Sequence, residues 1–105
     1  MRNREWKRVY HSEERVLWIK GRACDLCGRA PTWQFPSDNA HVTNGGTGRK
    51  ADYVWIISAC SVPGGCHWQL DHGMGKKAME RKYNVDLKEL ARSVNEAWES
   101  RDLDT

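Results

Sequence analysis

The sequence predicts a small α+β domain pinned together by a metal ion, and three observations carry that expectation. One run, Tyr53 to Ser58 (YVWIIS), is β-branched and aromatic throughout, as strands prefer. The carboxyl-terminal third is helical instead: Leu87, Leu90, Ala91, Val94 and Trp98 recur at i, i+3, i+4, i+7 and i+11. Four cysteines in two pairs lie between the flanking helical segments. With 105 residues, 39% of them apolar and 30% charged, the chain has room for one small core and no second domain. Domains this lean commonly need a metal or disulfides, and six Trp supply part of the deficit.

The elements follow in order. Ser12 is placed to cap a first helix, with Glu13 and Glu14 in the turn where the helix dipole favours acids. Val16 to Ile19 continue that helix, and Gly21 ends it. Thr32 to Phe35 has strand character between Pro31 and Pro36. Residues 39–43 (NAHVT) make a second short strand, and 44–50 (NGGTGRK) a loop. A helix is expected from His67 to His72, interrupted at Gly73 and Gly75. It resumes from Lys76 to Tyr83 and breaks at Asn84. Asp86 and Glu89 make a capping pair for the last helix.

Charge and hydropathy narrow the function classes. The net charge of +3 permits a polyanionic partner without demanding one, although four of the first eight residues are Arg or Lys. No stretch approaches the ~20 apolar residues that span a bilayer, so no membrane partner is expected. The basic start is not followed by the apolar run of a signal peptide. A cytoplasmic location is the expectation, and there disulfides are disfavoured. A two-disulfide scaffold is set aside on that ground, and the cysteines point to metal.

Cys24 and Cys27 have the spacing of one half of a zinc knuckle, closed by Gly28. Cys60 and Cys66 form the other half, with five residues between them; the insert Ser-Val-Pro-Gly-Gly lets the chain double back. Such a site would staple the 32 intervening residues. His41, Asp52, His67, Asp71 and His72 then remain. His67 and Asp71 share a helix face at i, i+4, and His72 lies about 100° further round.

The order of these pieces resembles the zinc-containing HNH (ββα-metal) endonucleases, in particular the small phage-borne group related to the phage recombination-enhancement nuclease. RVLWIKGRACDLCG, AHVTNGGTGRKAD, VWIISACSVPGGCH and KKAMERKYNVDL carry the resemblance, which spans about residues 12–92. It implies two antiparallel strands and a helix around a divalent cation, with flanking helices at both ends and one domain over 1–105. It also implies hydrolysis of DNA phosphodiester bonds. Matched residue by residue, His41 is the general base and His67 a ligand of the catalytic cation (Mg2+, Mn2+, Ni2+ or Zn2+). Asp71 or His72 is a further ligand, and Asp52 a ligand or orienting group. Arg49 and Lys50 would contact phosphates. A phage or host recombination or packaging protein is a conceivable partner. Ala40 stands where many such enzymes carry a ligand before the base. A non-catalytic, zinc-stapled module that grips DNA or a protein is therefore the alternative, and a register with His41 as a ligand stays open.

Overall fold

The computed structural model describes residues 13–42 and 55–101. Ser12, residues 43–54 with Arg49, Lys50 and Asp52, and the basic amino end lie outside the described residues. Within them the order is α1 (Glu13–Lys20), β1 (Ser37–His41), β2 (Ile56–Cys60), α2 (Cys66–Asp71), α3 (Lys76–Tyr83) and α4 (Leu87–Ser100). The α+β expectation holds as two antiparallel strands and four helices.

β1 and β2 pair without a bulge, from Ser37 opposite Cys60 to His41 opposite Ile56. Alternate residues of β1 therefore serve opposite faces. Ser37 Oγ donates to the Arg22 carbonyl (2.6 Å) and Asn39 Nδ2 to the Val16 carbonyl (3.2 Å), so one face lies on α1 and its exit. Asp38 and Ala40 belong to the other face, where Asp38 meets His67 of α2 and Ala40 joins the core. Every residue of β2 is buried. On its second edge the middle residue, Ser58, bonds Asp25 in the turn after α1, so that edge is occupied at its centre.

Thr32 to Phe35 is not a strand. The Thr32 N–H donates to the Phe35 carbonyl (3.1 Å) and the Phe35 N–H to Thr32 Oγ1 (3.0 Å), closing a turn that leaves Trp33 95% exposed. The β-branched and aromatic composition suggested a strand, but the threonine hydroxyl satisfied the backbone locally. The true strand begins two residues before the NAHVT segment.

Helix boundaries follow local chemistry. Asn84 takes the left-handed conformation (φ 53°) and ends α3. Asp86 accepts from the Lys88 and Glu89 N–H groups (2.9 and 3.1 Å) and caps α4. The Glu89 side chain does not complete the capping pair; it reaches Arg92 instead. The buried stripe of α4 is Leu87, Ala91, Val94 and Trp98, while Leu90 is half-buried at its margin. Leu87, Ala91 and Val94 pack with Ile19, Ala40, Ile57, Ala59, Leu70 and Met79 into one core. Trp98 meets Trp18 with ring centres 5.3 Å apart, and buried Arg15 donates to Asn95 Oδ1 (2.7 Å). These contacts tie the first helix to the last. No helix among the described residues is long and apolar enough to cross a membrane.

Candidate metal centre and the adjoining cleft

The sulfurs of Cys24, Cys27, Cys60 and Cys66 all lie within 4.8 Å of one another, and all four are free thiols. Tetrahedral zinc with bonds of about 2.3 Å sets its sulfurs about 3.8 Å apart. Cys27 Sγ and Cys60 Sγ are 3.7 Å apart, so the donor set fits a structural zinc ion. The fit includes the backbone: the Cys27 N–H donates to Cys24 Sγ (3.4 Å) and the Cys66 N–H to Cys60 Sγ (3.2 Å). Such bonds offset the charge that sulfur carries as a thiolate.

Two turns bring the pairs together. Gly28 has φ 78°, and its N–H donates to the Cys24 carbonyl (3.0 Å), turning the first knuckle. In the second, five residues span what two to four usually do, and Gly65 makes the closure feasible. A Cβ there would come within 2.8 Å of the Val62 carbonyl and 3.0 Å of Cys60 Sγ. The glycine is thus required by close approach, since chain and sulfur fill the space.

Burial sets the thiol electrostatics. It pushes the Cys60 and Cys66 thiols above their ordinary value. Cys27 feels burial too, but hydrogen bonding with the Arg29 backbone and the other three thiols outweighs it, and its thiol is lowered. Tyr83 Oη lies 3.8 Å from Cys66 Sγ, and burial together with that contact pushes the phenol up to about 12.

Beside the cluster, β1 and the start of α2 form a cleft of about 270 Å³ whose lining includes Asp38, His67, Trp68, Asp71 and His72. His67 stands at its centre. Its Nδ1 is 2.8 Å from Asp38 Oδ2 and its Nε2 is 3.1 Å from Asp71 Oδ2. Lys76 Nζ approaches the other Asp71 oxygen at 3.8 Å. The i, i+4 spacing of His67 and Asp71 had placed them on one face, and they meet there. Asp38 was not singled out by the sequence. It follows a proline-bracketed turn and reads as loop, and only the strand register turns it toward α2.

The imidazole lies between the two carboxylates, so Asp38, His67 and Asp71 do not converge on one point. Among the described residues, the four cysteines are the only cluster of three or more such side chains with that convergence. A catalytic cation therefore has no ready-made tripod in this arrangement. His72 lines the cleft from the end of α2 and is exposed. His41 is not brought to the cleft. It is exposed at the end of β1, three residues beyond Asp38 and on the opposite face, which is roughly 10 Å along an extended strand. Comparison with family models, curated proteins and solved structures returned no match.

Proposed function

We propose that the chain is a metal-dependent endonuclease of the HNH type, hydrolysing DNA phosphodiester bonds beside a structural zinc site. The observation that carries this reading is the meeting of Asp38, His67 and Asp71 in one cleft, on a hairpin followed by a helix and next to four clustered thiols. Phosphodiester hydrolysis needs a proton acceptor for water and a cation to offset charge on the phosphate. Asp71 and Asp38 offer carboxylate oxygens to a cation, with His67 or His72 as the nitrogen donor. A bound divalent ion would stabilise negative charge on the scissile phosphate and its leaving oxygen. For His67 to serve it, the imidazole must release one of its two carboxylates. While Asp38 holds Nδ1, Nε2 is the nitrogen left to bind the ion or to accept a proton.

Two histidines then compete for the role of base: His41, which the resemblance supplies, and His67, which has an orienting carboxylate. Arg49 and Lys50 keep their proposed contacts with phosphate.

A second reading has a specific observation in its favour. The cleft donors do not converge, and His41 stands on the other face of the sheet, as suits a zinc-stapled module that grips DNA or a protein without cutting. Supercoiled plasmid separates the two. Nicking by zinc-loaded protein that requires added Mg2+, Mn2+ or Ni2+ supports the endonuclease. DNA binding without nicking in any of these cations, or in added zinc, leaves the module.

A further inference from the structure

Trp68 follows His67 on α2 and lines the same cleft, yet it is 49% exposed. An indole half in water keeps apolar surface available to a planar partner. The ring is not loosely placed. Just after α2 the chain turns back at Gly73, where a Cβ would meet the Gln69 amide (2.2 Å from Oε1) and Trp68 Cζ3 (2.8 Å). The turn is closed by His72 and Gly73, whose N–H groups both donate to the Trp68 carbonyl (2.7 and 3.1 Å). The His72 ring lies 6.3 Å from the indole at 44°. Lacking a side chain, Gly73 lets the backbone pass close to both the Gln69 amide and the edge of the six-membered ring, while about half of Trp68 stays exposed.

The cleft therefore has two kinds of wall. Asp38, His67 and Asp71 form the polar one; Val62, Pro63 and Trp68 give an apolar one beside it. At about 270 Å³ it is below the usual range for a drug-sized ligand, and a single planar ring system suits it better than a duplex. Inside a duplex each base is covered by its neighbours, so an indole face stacks on an unpaired base without the cost of unstacking a step. We propose that Trp68 is a stacking platform for an unpaired nucleobase adjoining the phosphate held in the cleft, so that the substrate is single-stranded or locally unpaired DNA. The nucleic-acid character of the ligand rests on the endonuclease reading; the unpaired base rests on the held, half-exposed indole.

The test is equilibrium binding of labelled oligonucleotides to zinc-loaded protein, with calcium in place of the cleavage cation. Three probes are compared: a single-stranded thymidine oligomer, the same oligomer with abasic units, and a duplex. Wild type is expected to prefer the thymidine strand to both others. Trp68→Ala should lower that affinity by about 5- to 100-fold, the usual weight of one base stacked on an aromatic ring. Trp68→Phe should restore most of it, and abasic and duplex binding should be unmoved. Unchanged zinc content and circular dichroism would establish that Trp68→Ala folds. Equal binding of all three probes, no binding of any, or a Trp68→Ala loss shared equally by the duplex overturns the proposal. Trp68-dependent binding of the single strand, with no cleavage when Mg2+, Mn2+ or Ni2+ replaces the calcium, would defeat the endonuclease reading alone. Cleavage of duplex that ignores Trp68 would defeat the stacking platform alone.

Discussion

Asp25 and Ser58 are joined by two hydrogen bonds of 2.8 Å: the Asp25 N–H donates to the Ser58 carbonyl, and the Ser58 N–H to Asp25 Oδ2. Ser58 is the middle residue of β2, opposite Asn39, and these bonds use the polar groups it directs away from β1. The Cys24–Cys27 turn is thus bonded to the second edge of the sheet at Ser58, and Arg22 holds the same carboxylate at 3.0 Å. Asp25→Ala would leave the Ser58 N–H buried without an acceptor. A loss of about 1–3 kcal/mol is expected, the cost of one unsatisfied buried group. Denaturant melts of the zinc-loaded variant check it; a loss below about 0.3 kcal/mol would mean that the edge is held by zinc alone.

Zinc should supply much of the folding free energy, because the core beneath the cluster is small. Chelation, or Cys27→Ser, should collapse the circular dichroism signal and not merely lower the melting temperature. Zinc uptake near pH 7 should release about four protons, since each ligand binds as thiolate. Calorimetry in buffers of different ionisation enthalpy counts them. Release of fewer than about two would exclude four-thiolate ligation.

The pH dependence has opposite signs with and without metal. Acid protonates the ligands and expels zinc, so the loaded domain loses stability as the pH falls. Without metal, burial raises the folded Cys60 and Cys66 thiols above their ordinary 9.0. Groups raised on folding contribute stability that is present below the unfolded value and lost as the pH climbs toward the folded one. Any metal-free fold that persists should therefore weaken above about pH 9, the reverse of the loaded protein. Melting temperatures across pH for both forms would expose the difference.

Core and margin of α4 should separate cleanly. Leu87 is 2% exposed, and Leu87→Ala should cost about 2–5 kcal/mol. Leu90, half-buried, should cost less than half of that. Equal losses would show that the stripe is rotated toward Leu90.

What the sequence made legible was whatever depends on local spacing. The i, i+4 and i, i+7 recurrences announced α4, and the Cys pairs announced their cluster. Asn84 and Asp86 marked a helix end and the next beginning. What escaped depends on register and approach. Asp38 matters because the pairing of Asp38 with Ala59 turns it toward His67, which no composition encodes. Gly65 reads as an ordinary turn residue until the Val62 carbonyl and Cys60 Sγ are found in its way. Thr32 to Phe35 misled for a related reason: its side chains suit a strand, but a hydroxyl closed the turn first.

Gly65→Ala should accordingly open the second knuckle. The methyl would meet backbone and sulfur, so weakened zinc retention against a competing chelator is expected, with the melting temperature following. Zinc retention equal to wild type would mean that the 61–65 turn relaxes freely.

The most direct test of the endonuclease account is single-turnover nicking of plasmid, with cation titrations, by wild type, Asp38→Asn, His67→Ala and His41→Ala. The account predicts that Asp38→Asn and His67→Ala each lower the rate by ~10²–10⁴-fold while zinc stays bound. Recovery of His67→Ala in excess cation would make His67 a ligand, and no recovery would make it the base. A similar unrescued loss in His41→Ala assigns the base to His41, and rescue there makes His41 the ligand. Nicking by both Asp38→Asn and His67→Ala within a few-fold of wild type would contradict the account, because the cleft would then take no part in the chemistry.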